Sequence, residues 1–368
     1  MALIATLPGA PLDIIGDVHG EYAALATLLH RLGYDDRGRH GGGRRLVFVG
    51  DLCDRGPDSP AVVDFVQRVV QEGRGHAVIG NHELNLLRGE RREGNDWFWG
   101  EGSHHDRKFG DFVSVPAARR AEIASFLGSL PLVLEREDLR VVHAAWYVPA
   151  VAHLRNAPSE ATLAAQFDHW ERVSDAAISD AALRRLVAEE MQHWGALLHD
   201  PNAEMPMLHG CARSDALWQM GNPLRALTSG IEREAQQPFF SGGKWRFVDR
   251  VRWWEEYTDT VPVVFGHYWR RPQGSAIKAG PDLFGPIDAT AWHGPRGNVF
   301  CVDFSVGARF LERKPTGVPG QATKLAALRW PERTLIFDTG EMHHAPADQD
   351  QPLRPVLDIS RWKGNPRT

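Results

Sequence analysis

The chain reads as an α/β protein, on two observations. Through its first third, short apolar runs alternate with apolar residues at helical spacing. Each of those runs also ends in a glycine-flanked polar cluster. Leu12–Ile15 is the first run, and Ala24, Leu25, Leu28, Leu29 and Leu32 then mark a helix face. Leu46–Val49 is the second, followed by a helix from Pro60 to Gln71 with Val62, Val63, Phe65, Val66, Val69 and Val70. His76–Ile79 is the third, followed by Leu84, Leu86 and Leu87. Two βαβ units with parallel strands at the sheet centre are the simplest arrangement.

Further along, Leu132–Glu135 and Leu139–Val142 read as short strands. Residues 158–198 are rich in alanine and charge, with Phe167, Trp170, Val173, Leu183, Leu186, Val187, Met191 and Trp194 at helical steps, and predict a helical insertion. Residues 200–250 carry Gly, Pro and Trp with little periodicity and read as irregular. Strand signals return at Val261–Phe265 and Val299–Val302, and a hairpin closes the fold through Leu325–Arg329 and Thr334–Phe337. The expected organisation is one domain over residues 1–345, with an insertion or cap at about 150–255, and a loose tail over 346–368. The glycine-rich stretch 35–45 lacks the GK[ST] ending of a phosphate loop and reads as a surface connection.

Composition bounds the partners. The 368 residues hold 42 basic and 47 acidic side chains, a net charge of −5, with 43% apolar and 24% charged residues. That is a globular composition, and its mixed charge argues against stable binding of nucleic acid by bulk electrostatics. No run of eighteen apolar residues predicts a membrane span. The N-terminus lacks a basic signal-peptide region, and the three cysteines, Cys53, Cys211 and Cys301, are too far apart for a disulfide framework. A cytoplasmic location is the expectation, and oligomeric state is not readable.

The chemistry lies in three clusters after the first three strands: Gly16-Asp17-Val18-His19-Gly20, Gly50-Asp51-Leu52-Cys53-Asp54-Arg55-Gly56 and Gly80-Asn81-His82-Glu83. Two later strands end in His143 and His267. Ligand sites in open α/β sheets lie beyond the carboxyl ends of strands, so Asp17, His19, Asp51, Asn81, His143 and His267 should converge. Two carboxylates, an amide oxygen and three imidazoles suit manganese, iron or zinc rather than calcium. A bridged metal pair clamps the attacking and leaving oxygens of a displacement at phosphorus.

GDVHG, GDLCDRG, GNHE, VVHA and FGH, in that order, resemble the motifs of the phosphoprotein-phosphatase branch of the calcineurin-like metallophosphoesterases. The resemblance implies a sandwich of two mixed β-sheets flanked by helices. It implies two divalent cations, manganese first, with iron, zinc, cobalt or nickel as alternatives. Asp17, His19 and Asp51 would hold one, and Asp51 would bridge to a second held by Asn81, His143 and His267. His82 would be the general acid oriented by Asp54, and Arg55 would grip phosphate.

Within that branch, GDLCDRGPDS, IGNHELNLL, PLVLEREDLRVVHA, NPLRALTS and VVFGHYW are most similar to symmetrical diadenosine tetraphosphate hydrolases. Ile79 stands where protein phosphatases carry an arginine before GNHE. Asp54, by contrast, follows the protein-phosphatase pattern, His143-Ala144-Ala145 stands for HAG, and Val302-Asp303-Phe304-Ser305 for LDTG. The implied activity is metal-dependent hydrolysis of a dinucleoside polyphosphate or related nucleotide by a metal-activated hydroxide, with capped RNA ends as an extension. The alternative is a protein Ser/Thr phosphatase or small-molecule phosphomonoesterase. A non-catalytic scaffold is disfavoured by the intact ligand set.

Substrate contacts are expected from Arg55, Trp146, Trp269 and Arg270, with Arg225 and Arg271 as further clamps for phosphate. Trp97 and Trp99 read equally as stacking surfaces for a base and as core or rim packing. His104 and His105, in the unassigned stretch 96–110, and His343–His344 read as surface.

Overall fold

A computed structural model describes residues 2–100, 106–157, 162–271, 283–284, 288, 290–316 and 319–344. The expectations for His104, His105 and the 346–368 tail fall outside the described residues.

Two sheets face each other. The first contains β2 (Leu12–Ile15), β3 (Arg45–Phe48) and β4 (Gly75–Ala77) in parallel, extended antiparallel by β11 (Ala326–Trp330), β12 (Thr334–Phe337) and β13 (Met342–His344), in the order β13-β12-β11-β2-β3-β4. The second has the order β1-β5-β6-β9-β10, from Ile4–Thr6, Val133–Arg136, Leu139–Val142, Val263–Phe265 and Val299–Cys301. Only its β5–β6 pair is antiparallel. The period-two alternation of strand side chains builds two cores. Leu12, Ile14, Val47 and Val49 point between the sheets, against Leu134, Val141, Val264, Phe300 and Val302. Ile15, Leu46 and Phe48 point the other way, into a core shared with the helices.

Helix α1 (Tyr22–Leu32) buries Ala24, Leu25, Leu28, Leu29 and Leu32, the expected stripe, and stops at Gly33, whose φ of 90° is the left-handed cap. Helix α2 (Ser59–Gln71) is started by the Asp58 carboxylate, which accepts from the Ala61 N–H at 3.0 Å, with Pro60 in its first turn. Helix α3 (Asn81–Leu87) begins directly after β4, and α4 (Asp96–Trp99) and α5 (Arg120–Leu127) lead into the second sheet.

Helix α6 (Val148–Arg155) follows β6, and the stretch 158–198, read as helical from its periodicity, contains α7 (Leu163–Ile178) and α8 (Ala181–Trp194). The irregular reading of 200–250 is corrected: these residues form α9 (His209–Gly221), α10 (Pro223–Ser229) and a ribbon of β7 (Glu232–Ser241) with β8 (Lys244–Arg250). Helix α9 buries only Gly210, Ala212 and Gln219, so it lacks an apolar stripe, and most ribbon residues are half-buried or exposed, which erases alternation. A small separate core of Met205, Leu208, Ala212 and Phe247 joins α9 to the ribbon. Helix α11 (Phe310–Thr316) precedes the closing hairpin.

Candidate active site

The turns after β2, β3, β4, β6 and β9 meet at one point, so both sheets contribute from their carboxyl ends. Asp51 is its centre. One carboxylate oxygen, Oδ2, lies 3.7 Å from His19 Nε2 and 3.9 Å from His82 Nε2. The other, Oδ1, lies 3.3 Å from His143 Nε2. Two ligand groups therefore share Asp51: it stands with His19 and His82 on one side and with His143 and His267 on the other, the ligand atoms of each group within 4.8 Å of one another. Asn81 Oδ1 joins the second group, 3.2 Å from His143 Nε2 and 2.9 Å from His267 Nδ1. Asp17 sits behind, with Oδ2 4.0 Å from His19 Nε2 and both oxygens accepting from the His267 N–H at 3.0 and 3.3 Å.

Such crowding demands an unusual backbone. His19, Asp51, Asp54, Arg55, His267 and Trp269 all have positive φ, between 46° and 75°, a conformation costly for residues with a Cβ and held by its surroundings. Two glycines are required by contact rather than by dihedral: a Cβ on Gly80 would fall 2.2 Å from Asp51 Oδ1, and one on Gly266 would fall 2.0 Å from Asp17 Oδ1. The Glu83 carboxylate ties the turn together, accepting from Gly80 and Asp51 through one oxygen and from Leu52 and Cys53 through the other.

The electrostatics suit a cation. Burial, then the charge of Asp303, pushes the Asp17 carboxyl well above its usual range. Burial also opposes charge on Asp51, but the facing imidazoles of His143 and His82 win and hold it well below that range. Burial likewise opposes charge on His143, yet Asp51 pulls it up to about 10. His19 and His267 are held well below the usual imidazole range by burial, and next by Arg55 and Arg250 respectively, so each keeps an unprotonated ring nitrogen. His267 Nε2 is buried with no hydrogen-bond partner among the described residues. Neutral imidazoles, crowded carboxylates and an orphaned ring nitrogen are what a divalent cation would relieve, and the donor types fit manganese, iron or zinc.

Around this centre, His82 Nδ1 lies 2.6 Å from Asp54 Oδ2, and the other oxygen of Asp54 accepts from Trp97 Nε1 at 2.6 Å. Trp97 is thus a buried donor, which decides for packing over stacking. The Arg55 guanidinium lies over the Trp269 ring, 4.9 Å from its centroid, with Nη1 3.4 Å from His19 Nε2. Both residues thus stand beside the ligand groups.

Three other expectations are corrected. Trp146 is 5% exposed within the helix-side core, with the Arg140 guanidinium 4.5 Å from its ring. Arg270 is buried, its guanidinium donating to the backbone carbonyls of Cys301, Asp288 and Ala291. Arg225 is buried against Trp218, Glu171 and Phe167. An arginine so committed to carbonyls or to a carboxylate braces the fold instead of gripping substrate. Asp303, placed in the sequence only as part of the motif standing for LDTG, has a role in the structure: its carboxylate, pushed up by burial to about 6, accepts from the Trp269 and Ser305 N–H groups at 2.8 Å each and so fixes the turn carrying Trp269. Glu83 also went unassigned, though its place three residues after Gly80, at a helix start, is a signal for a capping carboxylate.

Residues 10–175 match the calcineurin-like phosphoesterase family. The asymmetrical bis(5'-nucleosyl)-tetraphosphatase PrpE of Oceanobacillus iheyensis is 45% identical over 80 residues, 21% of this chain and 32% of that protein. The symmetrical bis(5'-nucleosyl)-tetraphosphatase of Methylococcus capsulatus is 36% identical over 136 residues, 35% of this chain and 41% of that protein. The chain thus spans about a third to two fifths of the length of these curated relatives. A crystal structure of a cold-active protein-tyrosine phosphatase from a psychrophilic Shewanella shares 16% identity over 94% of this chain and 83% of that one, with a TM-score of 0.46. No helix among the described residues is long and apolar enough to cross a membrane.

Proposed function

We propose that this chain hydrolyses a phosphoanhydride of a dinucleoside polyphosphate, with two divalent cations held about Asp51. The observation that carries the reading is that Asp51 stands between His19 on one side and His143 with His267 on the other. Asp17 would complete the first cation's ligands and Asn81 the second's. When bound, such a pair supplies charge against the phosphate oxygens and a nucleophile from water at neutral pH. The chain's own residues do the remainder. Arg55, braced on the Trp269 face, would hold non-bridging oxygens. His82, with Nδ1 on Asp54, would present Nε2 to the leaving oxygen and give it a proton. The substrate class is supported by the tetraphosphatase names of the curated relatives.

A second reading, hydrolysis of a phosphomonoester or phosphoprotein, is favoured by the His82–Asp54 pair at 2.6 Å. An oriented proton donor matters most when the leaving oxygen is a poor one.

The test offers manganese-loaded protein diadenosine tetraphosphate, a phosphopeptide and p-nitrophenyl phosphate in parallel. The expected result is fastest cleavage of the dinucleotide, to two ADP if symmetrical or to ATP and AMP if asymmetrical. Phosphopeptide turnover with the dinucleotide untouched would replace the first reading with the second.

A further inference from the structure

The stretch after α3, which matches no motif, wraps the turn carrying Asp54 and Arg55 at three points. Trp97 Nε1 donates to Asp54 Oδ1 at 2.6 Å. The Gly94 carbonyl accepts from the Arg55 N–H at 3.1 Å, and the Val113 N–H donates to the Pro57 carbonyl at 2.8 Å. The approach at Gly94 is close: its φ is 100°, and a Cβ there would fall 3.0 Å from Arg55 Cγ. What holds Gly94 is Asp106. This aspartate is 2% exposed, and its two oxygens accept from the Gly94 and Asp96 N–H groups at 2.6 and 2.8 Å.

These contacts fall on opposite sides of one turn and on different chemistry. Asp54 has two oxygens; His82 takes one and Trp97 the other. With both filled, the carboxylate has one orientation, and so does the His82 ring. Arg55 has a φ of 68°, a strained conformation for arginine, and its N–H is tied to a loop pinned by a buried carboxylate. A side chain that must meet a phosphate oxygen needs such support, because a displacement of about 1 Å at a positioning group costs on the order of a hundredfold in rate.

We infer that Trp97 and Asp106 are positioning residues for the reaction, Trp97 acting through Asp54 on His82 and Asp106 acting through Gly94 on Arg55. This rests on the functional reading above and adds a role for the unassigned segment.

Two double-mutant cycles on manganese-loaded protein test it, with diadenosine tetraphosphate and p-nitrophenyl phosphate as substrates. W97F keeps a ring and loses the N–H; it should lower kcat roughly 10- to 100-fold with KM and metal content unchanged. In a D54N background the same change should cost nothing further, since the carboxylate through which Trp97 acts is gone. D106A should raise KM about tenfold, and this penalty should vanish in an R55A background. Generalised damage to packing would add in both backgrounds. Penalties that add, or W97F and D106A enzymes with wild-type constants, overturn the inference. Should W97F fail to fold by thermal melting, the D106A and R55A cycle decides from the other end of the loop. A wild-type protein that cleaves neither substrate fails the functional reading first, and the inference with it.

Discussion

Gly307 lies against the edge of the His19 imidazole, so closely that a Cβ built on it would fall 2.4 Å from His19 Cδ2. Gly307→Ala therefore cannot be accommodated without turning the ring. The change should lower bound metal from about two equivalents to about one and reduce kcat by at least tenfold. Elemental analysis after gel filtration, beside initial rates, measures both. Full metal content with wild-type activity would mean His19 is no ligand.

Asp51→Asn removes the charge shared by the two ligand groups while keeping the side chain's shape. Turnover and metal retention should both be lost, with the circular dichroism spectrum unchanged. An active Asp51→Asn enzyme would refute the two-cation reading.

Glu83→Gln should act on stability before it acts on chemistry. Each carboxylate oxygen of Glu83 accepts from two backbone N–H groups. Whichever way the amide of glutamine turns, its NH₂ meets two donors, an unsatisfied buried clash worth roughly 2–4 kcal/mol. Urea unfolding should show the loss as a lower midpoint with an unchanged slope.

The thiols should be silent in the folded protein. Burial, then the charges of Asp54 and Asp303 respectively, raises Cys53 and Cys301 well above the usual thiol range. Burial and a hydrogen bond to Glu190 push Cys211 up to about 12. A raised thiol pKa means less thiolate at a given pH, so at pH 8 Cys211 should alkylate about a thousandfold more slowly than an ordinary cysteine. Iodoacetamide labelling read by mass spectrometry should give no adducts on the native chain and three after unfolding. Rapid native labelling of Cys53 or Cys301 would contradict their burial.

Much of the site is legible in the sequence because it is written in strand ends. Asp17, Asp51, Asn81, His143 and His267 each follow an apolar run, and a run's end fixes where its next side chain goes. Arg55 and Trp269 were legible by adjacency to those ends. Trp97 stays open in the sequence because tryptophan's ring and its N–H serve different purposes, and only the fold says which is used. Trp146 and Arg270 failed for a related reason. Each stands a few residues from a ligand, but the backbone turns at His143–Ala145 and at Trp269 direct them inward, to the core and to carbonyls. Asp303 sits in a motif position, but its role was not legible there, since its work is to accept N–H groups from a turn 34 residues away. In the fold, α9 and the ribbon were missed because their partners lie on several sides and leave no single apolar face.

The two sheets meet at the ligand set: Asp17, Asp51 and Asn81 come from one, His143 and His267 from the other. A cation ligated by both would fasten the halves of the sandwich, adding to the apolar packing between them and to hydrogen bonds such as that of His143 Nδ1 with the Val49 carbonyl at 2.8 Å. Affinity for metal is then also cohesion. At a thousandfold excess over its dissociation constant, a ligand bound only by the folded state adds about 4 kcal/mol. A chelator should thus lower the melting temperature as well as stop turnover, and a chain starved of metal during synthesis would be an easier target for proteases than its loaded counterpart.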